Sequence, residues 1–266
     1  MKKKTISIII ENLLYGGTTS HLINFINSKA CRKYNFKIIT NKSNAGIKDI
    51  KESCKSNKFE IIDFNSLNAL QPKIFLLKVI FFATKPLLFL FSIIQMFFIL
   101  KKISSDVTLL NCGGYGDFRT EMAGAIALKL LKRKNFYLLI HHCYSKPILW
   151  GGIINLINKY ISKIFRMIFF VSKATKDSIS KNTSLIDKNS KYKIIYNGVP
   201  VRPFSLKRIK KLKVKKGVNK IGMLSRIEDY KGHLNLIYSF SKLTDKEKKQ
   251  FKVFLLGMET QFLSKK

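Results

Sequence analysis

Short apolar runs alternate with helix-compatible stretches along the first part of the chain. The runs Ile6 to Ile10, Phe36 to Thr40 and Phe59 to Phe64 have the length of buried strands. Residues 41–58, between the second and third runs, are polar with a spacing that suits a helix. Alternating strands and helices predict a parallel sheet, because parallel neighbours need a long crossover connection. We therefore expect an α/β fold with a Rossmann-like sheet.

The same alternation returns after residue 105. Asp106 to Leu110 and Phe136 to Ile140 read as two further strands, with a helix over residues 118–131 between them. A glycine-containing loop, Asn111 to Gly116, follows the first of these strands. Ligands bind at the carboxyl edge of open parallel sheets, so Gly113 and Gly114 are candidates to line a binding cleft. A long helical stretch is expected from Leu149 to Ile168, followed by two more strands.

Residues 74–103 form the most apolar segment, and Pro86 to Leu100 carries no charge. A membrane-spanning helix needs about 20 apolar residues, and this uncharged run is shorter. A spanning helix and a pair of core helices are the alternatives. We expect a helical hairpin that partly enters a bilayer interface, with its lysines near the headgroups. These lysines are Lys78, Lys85, Lys101 and Lys102.

The charge balance favours anionic partners. The chain has 50 Lys and Arg against 15 Asp and Glu, a net charge of +35. Such an excess suits an anionic membrane surface, nucleic acid or phosphorylated substrates. The sequence has no nucleic-acid motif and no aromatic residues interleaved with the basic ones, so nucleic acid is not an expected partner.

The cysteines and the N-terminus favour the cytoplasm. Cys31, Cys54, Cys112 and Cys143 form no Cys-x-x-Cys pair and no zinc spacing, as expected for isolated thiols in a reducing compartment. The apolar run after the three N-terminal lysines is short and lacks a small-residue cleavage site. It predicts a first strand rather than a signal peptide.

A strand, a cationic turn and a helix follow one another near the end of the chain. Ile221 to Leu224 reads as the strand, Arg226 and Lys231 lie in the turn, and Gly232 precedes the helix. A helix N-terminus attracts anions, and Arg can grip phosphate oxygens with two hydrogen bonds. The alternative is a solvated turn in a lysine-rich chain.

Two further motifs are ambiguous by themselves. Gly16 and Gly17 permit a tight turn and close approach of a ligand, but a Gly-Gly pair is more often only a turn. His141 and His142 end the fifth strand, where one could pack on a helix and the other be solvated. We expect no metal site there, because no carboxylate or third histidine lies nearby in the sequence.

Taken in order, these motifs resemble family 4 (group 1) glycosyltransferases of the GT-B fold. The resemblance covers almost the whole chain. It rests on Gly16-Gly17-x-x-x-His21, the histidine at the end of strand five, Val171-Ser172-x-x-x-Lys176, Asn197-Gly198-Val199 and Gly222-x-x-x-Arg226 with Lys231-Gly232.

The resemblance implies a retaining transferase that moves a sugar from a nucleotide-diphosphate sugar to a lipid-linked or polysaccharide acceptor. Such enzymes build cell-surface glycans at the inner face of the plasma membrane and need no cofactor. The implied donor-diphosphate residues are Arg226, Lys231, Gly16 and Gly17, where the two glycines are alternatively near the acceptor. His141 is the implied catalytic residue beside the transferred sugar. The implied acceptor and cleft residues are His21, Gly113, Gly114 and His142. His142 is the alternative to His141 if the register of the fifth strand differs by one residue.

The sequence departs from the family near its end. The family's second domain carries a Glu-x7-Glu pair, and no such pair occurs here. We expect an N-terminal domain over residues 1–200, a basic linker over 201–218 and an incomplete nucleotide-sugar domain over 219–266. Such a chain is a fragment, a truncated protein or one completed by a second polypeptide, and as written it should bind donor poorly.

Two other functions remain open from the sequence. One is a catalytically silent remnant or partner subunit that binds the membrane. The other is a basic protein that binds membrane or nucleic acid without acting on sugars.

Overall fold

A computed structural model provides the structure of the chain. It describes residues 3–12, 16–54, 58–66, 74–147, 149–186, 190–199, 217–225, 227 and 231–257. The chain divides into two compact units, Met1–Val201 and Arg202–Lys266. The expected linker over 201–218 stays a prediction, because residues 201–216 lie outside the described ranges.

The first unit is a seven-stranded, all-parallel sheet, as the alternation predicted. Its strands are β1 (Thr5–Ile10), β2 (Asn35–Asn41), β3 (Phe59–Phe64), β4 (Val107–Cys112), β5 (Phe136–Ile140), β6 (Met167–Phe170) and β7 (Tyr192–Ile194). Its helices are α1 (Gly17–Asn27), α2 (Ile47–Ser53), α3 (Phe75–Lys101), α4 (Thr120–Leu130), α5 (Gly151–Ile161) and α6 (Lys173–Asn182). Helix α5 is shorter than predicted, because Met167 already pairs with β5.

The strand order places a topological switch point between β1 and β4. The order across the sheet is β3-β2-β1-β4-β5-β6-β7. Ile8 of β1 is in register with Ile38 of β2 on one side and with Leu109 of β4 on the other. The connections leaving β1 and β4 therefore diverge, and this is where open α/β sheets bind ligands.

Alternating side chains of the sheet build two separate cores. Ile8 and Ile10 pack with Leu22 and Ile26 of α1 on one face. Ile9 faces the other way into the core formed with α3 and α4. This division follows from the two-residue period of a strand. Both faces of the sheet are thus covered, as a parallel sheet requires.

Helix α3 is one continuous helix of 27 residues, so the predicted hairpin is wrong. The prediction failed at Pro86, which lies inside the helix. Proline has no N–H, so the carbonyl of Phe82 loses its helical partner. Trp150 Nε1 donates a hydrogen bond of 2.9 Å to this carbonyl, which compensates for the loss. Phe89, Met96 and Leu100 fix the second half of the helix in the core.

Helix α3 is also not a pair of core helices. Among the described residues it is the one helix long and apolar enough to cross a membrane, and little of it is buried.

The second unit begins with a two-stranded parallel sheet. Strand β8 (Asn219–Leu224) pairs with β9 (Phe251–Leu256), and α7 (His233–Ser241) and α8 (Asp245–Lys248) lie between them in sequence. Leu224 is 82% exposed and Leu256 is 51% exposed. Apolar strand residues at this exposure belong to a sheet with little cover on its faces, and two strands alone have marginal stability.

Two glycines give a matched test of the fold of the first unit. Gly116 has φ +123°, and a Cβ there would lie 1.9 Å from the carbonyl oxygen of Ser145. Gly152, in the first turn of α5, has no atom of the described ranges within 4 Å of the corresponding position. We expect Gly116→Ala to lower the free energy of unfolding by at least about 1–3 kcal/mol. Gly152→Ala should leave it unchanged or raise it by up to about 1 kcal/mol.

Urea unfolding followed by circular dichroism measures both variants. Equal stability of the two would contradict the described path of the Gly113–Gly116 loop against the Tyr144–Ser145 segment.

Candidate active site

Segments that follow β1 and β4 meet at the switch point. A Cβ placed on Gly113 would lie 3.0 Å from Asn12 Oδ1 and 3.2 Å from Thr18 Oγ1. Asn12 follows β1, and Thr18 is the second residue of α1. The backbone of the β4 loop therefore approaches the start of α1 at a distance that any larger residue would increase.

Gly16 and Gly17 lie at that same helix start. Gly16 is the N-cap of α1, and its carbonyl accepts hydrogen bonds of 3.1 Å from the amides of Thr19 and Ser20. No atom of the described residues comes within 4 Å of a Cβ built on either glycine. The open space at this helix N-terminus is compatible with an anion or a polar ligand, whose identity stays a prediction.

His141 joins the site from the end of β5. Its Nε2 lies 2.8 Å from Asn111 Oδ1, and Asn111 is a buried residue of β4. Its ring meets the ring of His21 from α1 edge to face, with centroids 4.7 Å apart. Three elements thus each contribute one side chain to a single cluster.

Both clustered histidines are neutral near pH 7. Burial, together with smaller effects of the neighbouring His21 and His142, lowers the pKa of His141 to about 3. Burial also lowers the pKa of His21. Because Asn111 Oδ1 accepts the hydrogen bond, the single proton of His141 lies on Nε2. Its Nδ1 then carries a lone pair that can accept a hydrogen bond from a hydroxyl group.

Two polar atoms of this cluster are buried without a partner in the described part of the chain. They are Asn111 Nδ2 and His21 Nδ1. A buried polar atom left unsatisfied costs about 1–3 kcal/mol. Unsatisfied atoms in native structures often mark a functional position, and here they surround the catalytic candidate.

An ion cluster connects the end of β1 to the start of α4. Arg119 Nε donates to Glu121 Oε2 at 3.2 Å, and Arg119 Nη2 donates to the Glu11 carbonyl at 3.1 Å. The Glu11 amide donates to Glu121 Oε1 at 3.2 Å. The Glu11 carboxylate accepts hydrogen bonds from Ser66 Oγ and from the Thr120 amide. Gly114 lies beside this cluster, since a Cβ there would be 3.6 Å from Arg119 Nη1.

Burial and the charges inside the cluster have opposite effects on the pKa values of Glu121 and Arg119. Burial raises the pKa of Glu121, an effect that the Arg119 charge opposes. Burial also works against the Arg119 cation, yet the attraction of Glu121 raises the Arg119 pKa overall. Cys112 is buried beside them, which raises its thiol pKa to about 12. A thiol that stays protonated is a poor nucleophile, so Cys112 is not a catalytic candidate.

The second unit carries the other group of predicted residues. Lys231 precedes Gly232, which has φ +84° and caps the N-terminus of α7. His233 Nε2 lies 3.3 Å from Ser225 Oγ, which links the end of β8 to the start of α7. Arg226 lies outside the described residues. The diphosphate role of Arg226 and Lys231 therefore stays a prediction.

The structure thus gathers several of the predicted site residues at one edge of the sheet. His21, His141 and Gly113 lie at one edge with the start of α1, whereas the His142 side chain is exposed. Sequence reasoning missed Asn111, Glu11, Arg119 and Glu121. The positions of Glu11 and Asn111 could have pointed to the site. Glu11 directly follows β1 and Asn111 lies near the end of β4, at the edge of the sheet where ligands bind.

The described residues contain no cluster of three or more His, Cys, Asp and Glu side chains suited to a metal ion.

Comparison with known proteins identifies the class of fold. No family model matches the chain, and no curated protein matches its sequence. Solved structures do match. They include the N-terminal domain of Candida albicans trehalose-6-phosphate phosphatase (TM-score 0.61, 10% identity, 98% of this chain and 65% of that one). They also include the lipopolysaccharide outer core galactosyltransferase WaaB in its apo form (0.53, 13%, 98% and 62%) and LpCGTa in complex with UDP (0.55, 10%, 98% and 72%).

These likenesses confirm the expected fold class. The chain has a GT-B type fold, with one complete Rossmann-like domain and the beginning of a second. It spans 62% to 72% of the length of the three structures named above. At such low identity they establish the fold alone, because one fold hosts many functions.

The neutral state of His141 makes stability depend on pH. Between about pH 3 and pH 6.5 the unfolded histidine binds a proton that the folded one does not, so stability falls as the pH falls through this window. We expect this residue to cost the native protein about 2 kcal/mol between pH 7 and pH 5. His141→Gln should remove that part of the acid destabilisation.

Chemical unfolding at the two pH values measures the effect as a difference between variants, so the opposite contribution of Glu121 cancels. His142→Gln is the matched control and should keep the pH dependence of the native chain. The prediction fails if His141→Gln loses as much stability on acidification as the control does.

Proposed function

We propose that the chain is a glycosyltransferase of the family 4 type. In this proposal it moves a sugar, with retention of configuration, from a nucleotide-diphosphate sugar to a lipid-linked or polysaccharide acceptor. The observation that carries the proposal is the pair of neutral histidines at the switch point of a GT-B fold. Ligand binding at such a point follows from the architecture, and the histidines give the site a chemistry suited to hydroxyl groups.

His141 acts in this proposal by hydrogen bonding rather than by carrying a proton. A base whose pKa is about 3 holds a proton weakly at neutral pH, so general-base catalysis gains little from it. Its Nδ1 lone pair instead accepts a hydrogen bond from a sugar hydroxyl, while Asn111 holds the ring in place. During transfer the bond between sugar and diphosphate breaks and a new bond forms to the acceptor oxygen. The proton of the acceptor hydroxyl leaves with the diphosphate or to solvent.

The donor side of the proposal rests on charge. Arg226 and Lys231 are the proposed residues that neutralise the diphosphate. No metal or cofactor is invoked, because two cations can replace one divalent ion at a diphosphate. LpCGTa, a structure of similar fold, holds UDP, which supports a nucleotide-linked donor.

A second candidate is favoured by the second unit. The exposed Leu224 and Leu256 on a two-stranded sheet suit a domain that another polypeptide segment completes. By itself this chain would then bind donor weakly and act as a silent remnant or partner subunit. Both candidates place the chain at the cytoplasmic face of the plasma membrane.

A transfer assay tests the proposal directly. The full chain is incubated with a panel of radiolabelled UDP, GDP and ADP sugars and a membrane lipid extract, and labelled products are separated. We expect transfer from at least one donor. His141→Ala should reduce kcat/KM by about 10- to 100-fold, as loss of one hydrogen bond in the transition state predicts.

His142→Ala is the matched control and should change kcat/KM little, because its side chain is exposed. No transfer from any donor by the native chain would favour the silent subunit. Equal losses in the two variants would remove His141 from the proposed role.

A further inference from the structure

Helix α3 has two apolar faces on opposite sides. Its inner face carries Phe89, Met96 and Leu100, which are buried in the core of the first unit. Its opposite face is exposed along the whole helix, and we name it the outer stripe. The outer stripe consists of Leu76 (65% exposed), Ile80 (49%), Leu87 (54%), Phe91 (50%), Ile94 (52%) and Phe98 (57%). Their spacing follows the period of an α-helix, so they line one side.

The outer stripe is long and uncharged. It runs from residue 76 to residue 98, which at 1.5 Å per residue is about 33 Å. Soluble monomers seldom expose a continuous apolar surface of this extent, and such surfaces mark contacts with membranes or proteins. We therefore expect the outer stripe to contact a membrane or another protein chain.

The net positive charge of the chain favours an anionic lipid surface as the partner of the outer stripe. Lys78 lies on the side of the helix away from the stripe, two residues from both Leu76 and Ile80. Lys85 is held by Asp117, with its ammonium 4.8 Å from the centre of the Phe82 ring. Lys101 and Lys102 are exposed where the stripe ends. With a net charge of +35, a second copy of the chain would be repelled, whereas an anionic bilayer would be attracted.

The packing of the inner face decides how the helix meets lipid. A spanning helix must be surrounded by lipid or by other spanning segments. Helix α3 instead keeps Phe89, Met96 and Leu100 against the sheet-covering core. The second half of the helix therefore cannot be surrounded by lipid, and the helix lies in the plane of the bilayer surface with the outer stripe toward the lipid, as interfacial helices do.

Two contacts attach the first half of α3 to the candidate active site. Trp150 Nε1 donates to the Phe82 carbonyl, and Trp150 belongs to the segment that follows β5 and His141. Lys85 pairs with Asp117, which belongs to the loop after β4 that contains Gly113. The helix that carries the outer stripe therefore contacts both segments that contribute to the candidate active site.

We propose that the outer stripe of α3 docks in plane on an anionic lipid bilayer and holds the switch-point edge close to the headgroups. This inference does not depend on the proposed sugar transfer. Its test measures binding rather than activity, so the two can fail separately.

Vesicle co-sedimentation tests the docking. The full chain is mixed with vesicles of phosphatidylglycerol and phosphatidylcholine, and the bound fraction is measured. We expect the combined variant Leu87→Gln, Phe91→Gln and Ile94→Gln to lose at least about 100-fold in affinity. The matched control changes a leucine, an isoleucine and an aromatic residue of α7 that are also at least half exposed, namely Leu234→Gln, Ile237→Gln and Tyr238→Gln.

The control should bind within a few-fold of the native chain, and thermal melting verifies that both variants fold. Equal binding by both variants would overturn the proposal. Light scattering measures the oligomeric state of the native chain and of both variants. The proposal would also be overturned if the native chain formed a dimer that only the stripe variant abolished, with vesicle binding unchanged. The outer stripe would then bind a second copy of the chain.

One-sided labelling distinguishes in-plane docking from spanning. Cysteines are placed at Ile74 and Lys102, on either end of α3, in a Cys143→Ser background, since the other three cysteines are buried. An impermeant maleimide added outside the vesicles should label both positions. Labelling of only one position would show a spanning helix and would contradict the proposal.

Discussion

The parallel pairing of β1 with β2 on one side and β4 on the other is the constraint on which the rest of the first unit depends. After three strands built in one direction, the chain must cross the sheet to start on the other side of β1, and α3 is that crossing. The crossing opens the edge where Asn12 and Gly113 meet the start of α1. It also lays a long apolar helix on the outside of the core. The candidate active site and the proposed lipid-docking stripe thus have one topological origin.

The electrostatics of the site divide into a charged support and a neutral centre. Arg119 lies between the carboxylate of Glu121 and the carbonyl of Glu11, which connects the end of β1 to the start of α4 in a buried network. Removing one member of such a network leaves an uncompensated buried charge, which is strongly destabilising. The histidine pair beside it carries no charge at neutral pH. In the proposed reaction the histidines therefore contribute hydrogen bonding rather than charge.

Much of the fold followed from the sequence, because its strands are short apolar runs with sharp ends. The predicted runs Phe59 to Phe64 and Phe136 to Ile140 coincide with β3 and β5. The signal is uninterrupted in β5, a strand covered on both faces, because all five of its residues are apolar. The continuity of α3 could not be predicted, because a proline such as Pro86 usually interrupts a helix. The hydrogen bond that compensates for Pro86 comes from Trp150, which is 68 residues from its acceptor Phe82. The same reason hid the ion cluster, where Glu11 and Arg119 are 108 residues apart. His141 was found from its position at a strand end, whereas its partner Asn111 has no spacing pattern that links the two.

The histidine signals in a nuclear magnetic resonance spectrum test the central claim most directly. The chain has four histidines, so His→Gln variants assign every imidazole Cε1–H signal. Millimolar sugar nucleotide and a soluble acceptor analogue are then added to the native chain, which detects even weak binding. A site at the switch point should shift the signals of His21 and His141 together and leave the exposed His142 nearly unchanged. Ligand-dependent shifts elsewhere in the spectrum, with His21 and His141 unmoved, would contradict the account.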